Sequence, residues 1–374
     1  MTSTNSTNTL SIISNMKEDF VSNIIIGIIF VIFIIMIIYF IYIYRLENSE
    51  CNYMNNLYKK INGNLRSIDP NDPDCSGNLY DYYIKTAYNA CSGGGYKNDF
   101  VNTCNLKSVL KEGVRGLDFE IYSIDNKPVV ATSTLDSYYV KETFNYVYFS
   151  DVMNTISNYA FASGTAPNYS DPIIIHLRIK SNNQKMYSKL AKIFQKYENI
   201  MLGKEYSFET LGKNLGAMPL VTFMKKVILV VDKINNSYLE NNKFLEYVNM
   251  TSNSIFMRAY NFYGVKNNPD INELTDFNRR GMTIVFSDSG INPINPSAIL
   301  CREAGCQMVA MRYQYVDNFL EENALFFDRC GYAFCLKPER LRYIPVTIPD
   351  PVPQKPEYSY ATRNASTDYY NFNF

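Results

Sequence analysis

The chain has 374 residues, 47% of them apolar, enough for one large domain or two ordinary ones plus appendages. Its 36 basic and 36 acidic side chains balance to a formal net charge of zero, which removes any global attraction for a polyanion and argues against nucleic acid as a partner. The one histidine, His176, excludes mechanisms that draw two imidazoles from one chain.

Residues 1–22 form a polar tail rich in Ser, Thr and Asn, a composition that favours disorder. Residues 23–45 read as a transmembrane helix. Within them Ile24–Tyr44 is uncharged and dominated by Ile, and at ~1.5 Å per residue it is long enough for a ~30 Å hydrocarbon core. Tyr39, Tyr42 and Tyr44 form an aromatic belt at one end. Arg45, Lys59, Lys60 and Arg66 follow the helix while Lys17 alone precedes it, so the charge bias places the bulk of the chain on the cytosolic side of a single-pass membrane protein. All eight cysteines lie beyond the helix, which pulls weakly toward an oxidising side. The Cys91/Cys104, Cys301/Cys306 and Cys330/Cys335 spacings lack a zinc pattern, and their simplest reading is as small buried apolar residues.

Residues 46–80 look like a linker, punctuated by Gly63, Pro70, Pro73 and Gly77. Short apolar runs then alternate with helical ones. Residues 129–131, 172–177, 226–231, 282–286 and 307–311 read as buried strands, and 149–161 and 184–197 as helices. This alternation predicts an α/β fold of the TIM-type (β/α) barrel kind, preceded by the transmembrane helix. The stretch 111–134 contains a helix end, a tight turn and two strands. On the first of these, Asp118 and Glu120 share one face of an otherwise apolar strand, so they must be hydrated, metal-bound or paired with a cation. Residues 347–374, rich in Pro and then in Tyr and Asn, read as a flexible tail.

Two blocks resemble the barrel of eukaryotic phosphoinositide-specific phospholipase C. Tyr82–Cys91, Gly113–Glu120, Pro128–Val130 and Phe149–Met153 are similar to its X half, and Gly305–Ala310 with Cys330–Arg342 to the end of its Y half. The halves span 81–200 and 201–346, with no pleckstrin-like, EF-hand or C2-like segment recognised. The resemblance implies a phosphodiesterase fold whose chemistry uses a histidine base, a histidine acid and a calcium ion held by an Asn and three acids.

Position by position, Asn89, Asp118 and Glu120 match ligands of a remnant calcium site. Tyr88 and Thr132 stand where the two catalytic histidines are expected, and Arg178 replaces the third acid. His176, two residues earlier, replaces neither histidine. Val230 and Asp232 stand where phosphate-binding lysines are expected, and Ile284 and Phe286 where the headgroup is gripped. The resemblance thus implies a membrane-anchored pseudoenzyme serving as scaffold or binding protein, with Arg178 in place of the metal charge. The alternative is a divergent phosphoric diester hydrolase acting on phosphatidylinositol-type lipids with calcium, and a third reading is a structural protein of an envelope or organelle membrane. No cofactor is expected unless the remnant site holds calcium. The expected partners are the bilayer, through residues 24–44, and unidentified proteins.

Overall fold

The computed structural model describes residues 5–374 except 136, 138, 208–211, 346–349, 354, 356, 357 and 359, with side chains from Phe20 onward. The chain divides after Arg342 into a large unit and a small one.

The Ile-rich run lies in one helix, α1 (Asn5–Leu57). Its side chains are exposed from Phe20 to Tyr42, and the segment is long and apolar enough to cross a bilayer. The helix starts inside the stretch expected to be a disordered tail. It also continues through the first part of the expected linker, because it meets the barrel there: Met54 is fully buried, and Cys51 is disulfide-bonded to Cys104.

Eight parallel strands form a nearly closed barrel. They are β1 (Tyr82–Ala87), β2 (Gly116–Ile124), β5 (Ile173–Ile179), β6 (Val227–Asp232), β7 (Met250–Ser252), β8 (Met257–Asn261), β9 (Met282–Phe286) and β10 (Met308–Met311). Their order is β7-β6-β5-β2-β1-β10-β9-β8, leaving the seam between β7 and β8. The main connecting helices are α2 (Thr103–Lys111), α3 (Phe149–Tyr159) and α4 (Gln184–Lys196). β3 (Lys127–Ala131) was expected as one more buried strand of the alternation, but it folds back antiparallel on β2 and pairs onward with β4 (Val147–Tyr148). β11 (Phe334–Leu336) adds to β1, also antiparallel.

Strand alternation sorts the side chains into two cores. Leu117, Phe119 and Ile121 face outward onto Leu106, Val152 and Ile156 of the surrounding helices. Ile84, Ile174, Ile228, Ile284 and Met308 fill the interior toward the strands' N-terminal ends. Each fully buried aliphatic chain of this kind contributes about 1.5–3 kcal/mol. The turn into β2 uses Gly113 at φ 73°, where a Cβ would be strained, and Gly116, where a Cβ would lie 2.4 Å from Thr86 Oγ1.

The second block of the resemblance has a structural role at the end of the barrel where the strands begin. Gln307 Nε2 donates to the carbonyls of Tyr80, Asn278 and Gly281 at 3.0, 3.0 and 2.8 Å, and its Oε1 accepts from Thr283 N at 2.8 Å. Lys337 Nζ donates to Asn278 O at 2.9 Å, and burial pushes this amine down to about 7. Cys330 and Cys335 are disulfide-bonded, while Cys75, Cys91, Cys301 and Cys306 are free and buried. The reading of the cysteines as small buried residues therefore holds for Cys91, Cys301 and Cys306 and not for Cys104, Cys330 and Cys335.

In the small unit, part of the tail expected to be flexible forms a short hairpin, β12 (Asn364–Ser366) against β13 (Asn371–Asn373).

Candidate functional site

Parallel pairing of β2 with β5 sets Asp118 beside His176 and Glu120 beside Arg178. Since all four alternate with outward apolar residues, two acids and two nitrogen bases enter the barrel interior together near the strands' C-terminal ends. This is the end of such barrels where sites are built. The counter-charge that Asp118 and Glu120 require is a cation from the neighbouring strand.

The Arg178 guanidinium is the centre of this arrangement. Its Nε donates to Asp118 Oδ1 at 3.1 Å and one terminal nitrogen to Asp118 Oδ2 at 2.7 Å, a two-point fork on one carboxylate. The same terminal nitrogen donates to Asn89 Oδ1 at 3.0 Å, and the other donates to Glu120 Oε1 at 3.0 Å. The cation lies 4.7 Å from the ring centroid of Tyr88 and 5.2 Å from that of Phe286. Arg178, Asp118, Glu120, His176 and Asn89 are all at most 3% exposed. Burial alone would raise the Asp118 carboxyl, but the Arg178 charge and the hydrogen bonds from His176 and Arg178 outweigh it and hold the group down to about 2.

Other side chains complete the network. His176 Nδ1 hydrogen-bonds with Asp118 Oδ1 at 2.8 Å, and its Nε2 with Ser252 Oγ at 2.9 Å. Glu120 Oε2 accepts from Tyr122 OH at 2.6 Å and from Ser133 N and Oγ, both at 3.1 Å. Asn89 follows β1 at φ 45°, a left-handed conformation that Asn tolerates. That turn aims the side-chain amide at Glu120 and the backbone N–H at Asp118 Oδ2, at 3.4 and 3.3 Å.

The sequence model of the phosphatidylinositol-specific phospholipase C X domain matches residues 75–234. These residues are thus similar to a phospholipase C X domain. The match begins before β1 and runs through β6, past residue 200, where the sequence reading ended this half. The fold is similar to that of S. officinalis PLC21, at 18% identity and a TM-score of 0.56, over 72% of this chain and 38% of that one. L. pealei PLC21 is similar at 18% identity and 0.57, over 74% and 39%. The chain therefore spans less than two fifths of either protein's length. No curated protein matches it in sequence.

Within the matched residues, Tyr88 and Thr132 lie at the same mouth as Arg178 but take packing roles. Tyr88 is a ring in a stack, 5.4 Å from both Tyr96 and Phe286. Thr132 is buried and donates to Tyr96 O at 3.1 Å. Val230 lines the apolar interior opposite His176, and Asp232 accepts from Ile234 N and Asn253 Nδ2 at 3.1 and 2.7 Å, closing a local turn. Ile284 is buried lower in the barrel.

Ser252, Tyr122, Ser133 and Tyr96 were not singled out from sequence. Ser133 and Tyr122 were within reach of the pattern, since both border Glu120 once β2 and β3 are read as a hairpin. Ser252 is 76 residues from its partner His176 and carries no local signal.

Proposed function

We propose that the chain is a membrane-anchored phospholipase C-like barrel that has ceased to hydrolyse phosphodiesters and acts as a scaffold or binding protein at a membrane. The observation that carries this reading is the Arg178 guanidinium, hydrogen-bonded at once to Asp118, Glu120 and Asn89. These are the oxygens that a calcium ion would need. Calcium gathers roughly six to eight oxygens at about 2.3–2.6 Å, and an immobile cation among them opposes its entry by charge and by volume. The residues therefore do not fit the metal, and Arg178 takes over its charge. Tyr88 and Thr132, committed to packing, supply neither a base nor an acid suited to neutral pH.

A second reading, residual phosphodiesterase activity, is favoured by one observation: an imidazole at the strands' C-terminal end between a carboxylate and a hydroxyl. One assay separates the two. The barrel, released from its helix or held in detergent, is given phosphatidylinositol with and without calcium, alongside a calorimetric calcium titration. The first reading expects no turnover and no binding heat. Turnover lost in Asp118→Asn would establish the second.

Among the described residues one helix is long and apolar enough to span a bilayer. For the side, the disulfides Cys51–Cys104 and Cys330–Cys335 support an oxidising, non-cytosolic face, against the charge bias of the flank. Of the flanking cations, Lys59, Lys60 and Arg66 fall past the end of α1, so Arg45 is the one next to the apolar run. Protection of the barrel from added protease in sealed vesicles of known orientation tests the side.

A further inference from the structure

We infer that α1 is a rigid strut that holds the barrel mouth-down on the bilayer its own helix enters, so that the loops around the mouth contact lipid. The inference rests on the reading of residues 24–44 as a bilayer span.

The direction follows from pairings between α1 and α2. Glu47 Oε1 accepts from Asn102 Nδ2 at 2.7 Å, Cys51 is bonded to Cys104, Asn55 Oδ1 accepts from Ser108 Oγ at 3.4 Å, and Asn62 N donates to Lys111 O at 3.0 Å. Both partners rise in number together, so the two segments run parallel. α2 leads from the C-terminal end of β1 down to the start of β2. The C-terminal part of α1 therefore descends from the mouth to the opposite end, and its apolar part projects beyond the mouth.

Continuity supplies the stiffness. Between Gly27 and Gly63 the sequence holds neither Gly nor Pro, the usual causes of a sharp kink. From Tyr44, the last residue of the apolar run, to Glu47, the first contact with the barrel, is about 4.5 Å of helix. The mouth and the bilayer surface are thus brought together and fixed in angle, and the Cys51–Cys104 bond secures the joint.

The surface presented there suits a lipid interface. Val140, Ile234, Tyr263, Ile291 and Ile294 are 57–73% exposed, all on segments at the mouth. Backbone bonds tie two of these segments to each other and to the loop after β1: Tyr96 N to Ile291 O, Asn98 N to Glu142 O, and Gly290 N to Thr134 O. At the other end, among the described residues, the loops leading into the strands expose two large apolar side chains, Tyr169 and Ile255. An apolar rim concentrated at the mouth is what a bilayer on that side would cover.

The test uses the full chain in phosphatidylcholine vesicles, with single cysteines added for a fluorescent thiol label. The native free cysteines are buried, so labelling is selective. Labels at Ile234→Cys and Ile291→Cys should lose fluorescence in vesicles of brominated lipid, and a label at Gly164→Cys, on the far end, should not. A label at Ile35→Cys reports the span itself. Quenching at 35 without quenching at 234 and 291 overturns the inference and leaves the span standing. No quenching at 35 overturns the span instead. A Gly-Ser-Gly-Ser insertion between Tyr44 and Arg45 should restore fluorescence at 234 and 291 while 35 stays quenched. Unchanged quenching there would show that the loops bind lipid by themselves, and the strut would be rejected.

Discussion

Replacing Arg178 by Met removes the cation and keeps most of the side-chain volume. What remains is two carboxylates, Asp118 and Glu120, at most 1% exposed and side by side on one face of β2. Breaking a buried ion pair from one side costs about 3–5 kcal/mol, because the partner charge is left without compensation. Here there are two such partners, and at least four hydrogen bonds disappear with the guanidinium. The depressed Asp118 carboxyl gives an independent scale: a shift from ~3.9 to about 2 corresponds to roughly 2–3 kcal/mol, of the same order. At about 2–4 °C per kcal/mol for a domain of this size class, Tm should fall by roughly 10 °C at pH 7.

Two companions separate charge from shape. Arg178→Lys keeps the charge but lacks the planar fork, so it should recover part of the loss. The triple variant Arg178→Met, Asp118→Asn, Glu120→Gln removes the stranded charges and should be more stable than Arg178→Met alone, a non-additivity expected of groups in one network. Calcium supplies the last arm. If the guanidinium holds the place of a divalent ion, millimolar calcium should raise the Tm of Arg178→Met and leave the wild type unmoved. A wild-type Tm that climbs with calcium, or an Arg178→Met cost under about 1 kcal/mol, would refute the reasoning.

Three further outcomes are expected. The Asp118 contribution is fully present above its unfolded value near ~4 and lost as pH falls through about 2, so acid unfolding followed by circular dichroism should show a shallower acid limb in Asp118→Asn. Glu50, at the joint between α1 and the barrel, moves the opposite way. Burial first, then the hydrogen bond and charge of Asp99, push it up to about 10, so the joint weakens as pH rises from ~4.5 toward 10, and Glu50→Gln should flatten that dependence in a Tm-against-pH series. Gly116→Ala sets a methyl against Thr86 Oγ1 and Met308 Cε, and should cost about 1–3 kcal/mol in urea denaturation.

Much of this was legible in the residue pattern. The uninterrupted isoleucines identified the helix long and apolar enough to span a bilayer, and buried apolar runs located β5, β6, β9 and β10, because parallel strands covered on both faces must be continuously apolar. Period-two spacing put Asp118 and Glu120 on one face, and the resemblance, by setting Arg178 at the place of a third acid, put it beside them. β3 has the same apolar character as a barrel strand, and composition does not encode whether a strand crosses over or folds back. The lower part of α1, from Glu47 to Leu57, is polar and Asn-rich, with modest helix propensity. Its helicity comes from contacts with residues far along the chain, Cys104 being 53 positions from Cys51. Ser252 and Tyr96 stayed hidden for the same reason: each joins the site through a partner that only the closed barrel brings near.

A cation that belongs to the chain has no dissociation constant. A bound divalent ion would make the charge balance at Asp118 and Glu120 a function of ambient concentration, with a filled and an empty population at every moment. Arg178 fixes the occupancy at unity in every compartment the protein passes through, from synthesis onward. The charge balance at Asp118 and Glu120 is therefore written into the chain itself, through the two ion pairs that Arg178 makes.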